Sequence, residues 1–138
     1  MIKRHEMLPI LVEACPSFSE KWREHKLQFH DEEDYLPYIA LAELNNHLVD
    51  LYRENKTSDF EKVFEVIERL HIDGDDYVKE AATIGLLEGI QNIAGNQDLD
   101  PEVFYVYLKP VSAIWWNDLN KFWNGETDFV GKTLDAKS

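Results

Sequence analysis

"DYVKEAATIGLLEGIQNIAG" (residues 76–95) carries the helical rhythm of the whole chain, together with two residues that oppose it. Val78, Ala82, Leu86, Ile90 and Ile93 recur every three or four residues, the spacing of one face of an α-helix. Gly85 and Gly89 interrupt the segment one turn apart, each costing a helix interior about 1 kcal/mol relative to alanine. With Ala81 they form a stripe of small residues at four-residue spacing, which lets a neighbouring backbone approach closely. In a bilayer such a stripe marks dimerising helices. Lys79, Glu80 and Glu88 exclude a bilayer here, so the stripe predicts close packing within one folded chain. The expected neighbour is a helix over 59–71, joined through the tight "HIDGDD" turn (71–76) as an antiparallel hairpin whose second helix starts on an Asp cap.

Outward from this segment the punctuation stays helical. In "TSDFEKVFEVIERL" (57–70), Ser58 and Glu61 have capping-box spacing, and Phe60, Val63, Phe64, Ile67 and Leu70 follow the helical rhythm. "CPSFSEKWREHKLQF" (15–29) repeats the device with Ser17 and Glu20, then presents Phe18, Trp22, His25 and Phe29 on one face. Asp100, Pro101 and Glu102 read as another start, with an Asp cap, a proline at the first helical position and an acid near the positive end of the dipole. Seven helices are expected, at about 4–14, 18–29, 35–54, 59–71, 76–94, 101–108 and 111–123. No segment alternates with period two over the length of a strand. The reading is all-α: one compact helical domain over 1–124, then a C-terminal tail at 125–138, expected to be frayed, whose Phe129 and Val130 could dock.

Composition bounds the function. Apolar residues make up 44% of 138, enough for a real core without disulfides, and the lone Cys15 rules out a disulfide framework or a cysteine-based zinc cluster. The opening "MIKRHEMLPILVEACP" resembles a secretion signal, but Glu6 and Glu13 confine its apolar run to six residues, so a cytoplasmic protein is expected. No run reaches the length of a membrane span. The net charge of −13 is concentrated: residues 31–102 hold five basic against nineteen acidic residues, whereas 1–30 and 103–138 are close to neutral. Such a field disfavours nucleic acid and anionic lipid and speeds encounter with a basic partner.

Two resemblances follow from these residues. "RLHIDGDDYVKEAATIGLLEGIQN" (69–92) resembles the second half of a HEAT-type helical repeat, in a single copy where a solenoid needs about three. The order "EACPSF", "DYLPYIALAEL", "FEKVFEVIERL", "GDDYVKEAATIGLLEGIQN" and "YLKPVSAIWWNDLNKFW" is similar to a family of small, acidic, all-helical bacterial proteins of unknown function. That resemblance implies a helical bundle with a HEAT-like hairpin. Through similar proteins encoded beside polymorphic toxins, it also implies an immunity-type role.

The residues that could carry chemistry are few. Glu43, His47 and Asp50, followed by Glu54, share one helical stripe and are plausible metal ligands, with His25 as a candidate from a second helix. Glu68 and His71 have the spacing of di-iron bundles, but that architecture needs the motif twice, and here it sits at a helix end where His offsets the dipole. "NQDLDPE" lacks the central glycine of a calcium loop. No nucleophile elbow, phosphate loop or dinucleotide fingerprint is present, and Cys15 has no basic residue within three positions to lower its pKa.

In "IWWNDLNKFW" (114–123), Trp115, Leu119 and Phe122 are expected to form the buried stripe, leaving Trp116 and Trp123 as possible interface anchors. The expected function is a non-enzymatic interaction module with no cofactor, an immunity-type inhibitor of a basic toxin or nuclease. Its contact residues would be Asp31, Glu32, Glu33, Asp34, Asp73, Asp75, Asp76, Trp116 and Trp123. The alternatives are a metal-dependent hydrolase built on Glu43, His47 and Asp50, and a structural adaptor.

Overall fold

The computed structural model describes residues 1–28 and 37–125. Seven α-helices account for most of them: α1 (Arg4–Ala14), α2 (Ser19–Gln28), α3 (Pro37–Arg53), α4 (Phe60–Asp73), α5 (Asp76–Glu80), α6 (Gly89–Asn96) and α7 (Pro110–Trp123). Between α5 and α6 the helix continues through Ala81–Glu88 with the wider π geometry, so 76–96 form one rod. Short 3-10 helices at Pro16–Phe18 and Pro101–Tyr107 turn the chain into α2 and towards α7. Among the described residues there is no strand, only an isolated bridge between Ile2 and Gly74. The fold is all-α, as the periodicity requires.

Helix α4 lies at the centre. Phe60, Val63, Phe64, Ile67 and Leu70 are all fully buried, each side chain contributing about 1.5–3 kcal/mol by leaving water. Phe60 packs against Phe64, Phe104 and Tyr107, with ring centroids 5.0 to 6.1 Å apart, which fastens the 3-10 helix onto α4. Met7, Leu8 and Leu11 of α1 are also fully buried. The first residues are tied in by backbone bonds, from Ile2 N to Asp73 O at 2.7 Å and from Asp75 N to Ile2 O at 3.0 Å.

The glycine stripe does admit a close neighbour, but that neighbour is α3 rather than α4. A Cβ at Gly85 would fall 2.6 Å from Leu41 Cδ1, and one at Gly89 would overlap Asn45 Nδ2. Leu41 and Asn45 are themselves one turn apart, so two stripes of equal spacing interlock. The gap left by Gly89 seats the fully buried Asn45, whose Nδ2 donates to Gly85 O at 2.7 Å. The hairpin turn leads into α5 as expected, with the Asp75 carboxylate accepting from Val78 N at 2.9 Å.

Other local expectations need correction. Ser58 and Glu61 form no capping box, because α4 starts a residue later and its preceding residue, Asp59, makes no side-chain cap. Ser17 does not cap α2; it lies within the 3-10 helix and its hydroxyl turns to His47. Asp100 is a true cap, accepting from Glu102 N at 3.0 Å, although the segment it opens is 3-10. In α7 the buried stripe is Ser112, Trp116 and Leu119, while Phe122 is exposed and Trp115 only partly covered. The expected stripe was therefore one residue out of phase at the first tryptophan.

Candidate functional site

Polar groups gather in three places, and their hydrogen bonds decide what each can do. The first is the junction of α4 and α7. Proline at the first position of α7 has no N–H, and the next two amides need acceptors. Glu68 supplies both: Oε2 accepts from Val111 N at 3.0 Å and Oε1 from Ser112 N at 2.8 Å, with the Ser112 hydroxyl adding a third bond at 2.9 Å. Burial by itself pushes the Glu68 carboxyl up; the donors from Val111 and Ser112, with the nearby His71, outweigh it and hold it below its ordinary value.

His71 continues the network. Its Nδ1 lies 2.9 Å from Ile67 O, a group that can only accept, so Nδ1 carries the proton. Nε2 is then the acceptor, and the Thr83 hydroxyl, 3.0 Å away, donates to it. Burial pushes the imidazole pKa down and keeps it neutral. Ser112, His71 and Glu68 thus have the residue types of a catalytic triad in the wrong order. The serine proton goes to the carboxylate, the histidine faces Ser112 with an N–H at 3.4 Å, and the serine is fully buried. A cleft of about 540 Å³ opens beside this network, lined by His71, Lys79, Glu80, Thr83, Ile84 and Trp115.

The second place is where α2 crosses α3. The stripe of Glu43, His47 and Asp50 does not converge on one point. Glu43 Oε2 meets His25 Nδ1 at 2.9 Å, His47 turns to Ser17 of the 3-10 helix and Lys21 of α2, and Asp50 stays exposed. No three His, Cys, Asp or Glu among the described residues are grouped so as to hold a metal ion. Around His47 the Lys21 ammonium, which can only donate, approaches Nδ1 at 3.2 Å, so Nε2 bears the hydrogen and gives it to Ser17 Oγ at 2.8 Å. In that tautomer His47 cannot take a proton from Ser17. Burial, then the Lys21 charge, push its pKa down. Cys15 sits beneath, fully buried, its Sγ 3.6 Å from Ser17 Oγ and its thiol pushed up chiefly by burial.

The third place is a cleft of about 300 Å³ between α6, the 3-10 helix at Pro101–Tyr107 and the end of α7. Gln91, Asn92, Asp100, Glu102, Asn120 and Trp123 line it, with Pro101. Glu102 Oε1 accepts from the Trp116 indole at 2.9 Å and from Asn120 Nδ2 at 2.8 Å. Gln91 Nε2 gives to Asn120 Oδ1 at 3.3 Å, and Gln91 Oε1 has no partner among the described residues.

Of the expected contact residues, Asp31, Glu32, Glu33 and Asp34 lie outside the described residues. Asp73 and Asp76 are exposed, whereas Asp75 is occupied by its cap. Trp116 is fully buried and cannot anchor a partner; Trp123, 50% exposed, can. The cleft itself was missed, because Gln91, Glu102 and Asn120 come from three separate elements. A signal for Asn45 did exist: of the two adjacent amides it is the one on the helical face of Leu41, Leu44 and Leu48, and an amide on an apolar face implies a buried hydrogen bond. No described helix is long and apolar enough to cross a membrane.

No curated protein and no solved structure matches the chain. A family model does match, over residues 8–124, and the chain belongs to that family, the domain of unknown function DUF7674.

Proposed function

We propose that this chain is a non-enzymatic interaction module that engages a basic protein partner, in the manner of an immunity-type inhibitor facing a basic toxin or nuclease. The observation that carries the reading is the charge: five basic against nineteen acidic residues between 31 and 102, in a chain of net charge −13. A field of that size raises the association rate with a cation-rich surface, while a few anchors set the affinity. The arrangement of the polar interior supports the same reading. His47, His71, Ser17 and Ser112 are engaged in capping and packing, in tautomers that do not activate a nucleophile. Asp73 and Asp76 on the α4–α5 turn, together with Trp123, are the described groups from the expected surface that remain open to a partner.

The test is capture from the native host by the full chain, followed by kinetics. The expected result is one stoichiometric basic protein whose association slows with rising salt, and slows about tenfold in the doubly substituted Asp73→Lys, Asp76→Lys variant. Capture of no basic protein, or an association rate indifferent to salt and to the substitutions, would refute the reading. Growth rescue of cells expressing the captured protein then separates an inhibitor from an adaptor.

A further inference from the structure

The cleft of about 540 Å³ at the end of α4 is shaped for an apolar occupant. Its polar floor is already closed, since His71 and Thr83 bond to each other at 3.0 Å and are 6% and 5% exposed. Its walls are Ile84 and the partly buried Trp115. At the rim stand Lys79 and Glu80, exposed and of opposite sign. A stripe of α7 leads from this cleft to the helix end: Trp115, Asp118 and Phe122, at intervals of three and four. Gly125 then turns the chain off the helix axis, at φ +76°, the left-handed conformation of a helix stop.

The first apolar residues after that turn are Phe129 and Val130, which lie outside the described residues and beyond 8–124, the span of the family domain. From Gly125 back to Trp115 is about 15 Å along α7, at about 1.5 Å per residue. The four residues from Gly125 to Phe129 reach about 14 Å when extended, and the two aromatic side chains close the remainder. The flanking charges match as well: Asp128 precedes the apolar pair and Lys132 follows it, opposite in sign to Lys79 and Glu80 at the rim. We propose that Phe129 and Val130 of this same chain seat in the cleft between Trp115 and Ile84, strapping α7 to the 76–96 rod. So short a tether holds Phe129 at an effective concentration in the millimolar range. Any other apolar ligand, or a partner's side chain, enters the cleft only by displacing this strap.

The test is nuclear Overhauser spectroscopy on the full chain, beside the variant Phe129→Ser, which alters no residue of the buried core. The expected result is contacts from the Phe129 ring to the Ile84 and Thr83 methyls and to the Trp115 indole, lost in the variant. The substitution should shift the resonances of Thr83, Ile84 and Trp115 while leaving those of Asn45 and Trp123 in place. Indole, titrated into both proteins, probes the cleft for a free occupant. It should bind at Ile84 and Trp115 in Phe129→Ser and about tenfold more weakly in the wild type, as for a cleft that is open about a tenth of the time. Absence of contacts from Phe129 to Ile84 and Trp115, or contacts to Trp123 in their place, would overturn the assignment. Equal indole binding by the two proteins would overturn it too, and would make the cleft an open site for an apolar ligand or partner side chain.

Discussion

The junction of α4 with α7 and the cleft beside Trp123 are built from similar residues, a glutamate, amide or hydroxyl groups and a tryptophan, yet they are in opposite states. At the junction Glu68 meets three donors, His71 is held in one tautomer between Ile67 and Thr83, and Ser112 is sealed from solvent. In the cleft the carboxylates keep open oxygens and Gln91 keeps an orphan one. The difference teaches that residue type does not locate function in this fold. Polar groups in the interior complete helix ends that the sequence leaves without caps, whereas the cleft keeps bonding capacity that the fold does not use.

The comparison is broken most sharply at the two tryptophans. Trp116→Ala empties a fully buried site and strips a donor from Glu102, so it should cost about 3–5 kcal/mol in denaturant unfolding. Trp123→Ala should stay within about 0.5 kcal/mol of wild type. Equal losses would mean that α7 is rotated from the orientation described.

Next in size is the glycine seam. Gly89→Ala gains helix propensity of about 1 kcal/mol but drives a Cβ into Asn45, breaking its bond to Gly85, and overpacking of that kind costs about 1–3 kcal/mol. Net destabilisation is expected. Gly95→Ala, in the same helix with nothing within 4 Å of the new Cβ, should stabilise by up to about 1 kcal/mol. Stabilisation by both substitutions would remove the close approach of α3.

This seam also shows what the sequence could and could not disclose. The small stripe Ala81, Gly85 and Gly89 announced that something packs closely, because the cost of glycine in a helix demands a return in packing. It could not name α3, because choosing a partner depends on Leu41 and Asn45 lying at matching spacing across about 40 residues of chain. The α4 face was legible for the opposite reason: five apolar residues at helical spacing fix one buried direction without reference to anything distant. In α7 apolar residues surround the axis, so periodicity alone did not choose between Trp115 and Trp116; the buried Ser112 and the Glu102 bond did. The Ser17 and Ser58 caps failed because tertiary partners, or a shifted start, took over the role assigned to them.

A smaller effect sharpens the junction. Glu68→Gln weakens a charge-assisted cap of α7 and should cost about 1–2 kcal/mol at pH 7. The sign with pH follows from the lowered carboxyl value in the folded chain. The stabilisation is present above the unfolded value, about 4.5, and is lost as pH falls through the folded one. The gap between wild type and Glu68→Gln should therefore narrow below pH 4.5 in urea unfolding. A constant gap would show that the carboxylate charge plays no part in the cap.

The central claim is that His47 and His71 belong to the scaffold, and their tautomers report it directly. Long-range ¹H–¹⁵N spectra of the imidazoles at pH 7 should show both rings neutral, His71 protonated at Nδ1 and His47 at Nε2, each titrating below the ordinary value of 6.5. Because both pKa values are lowered, the stability these residues confer should be intact above pH 6.5 and decline beneath it. A His47 bearing its proton at Nδ1, with Nε2 open to the Ser17 hydroxyl, would contradict the account, since that ring would be poised as a base.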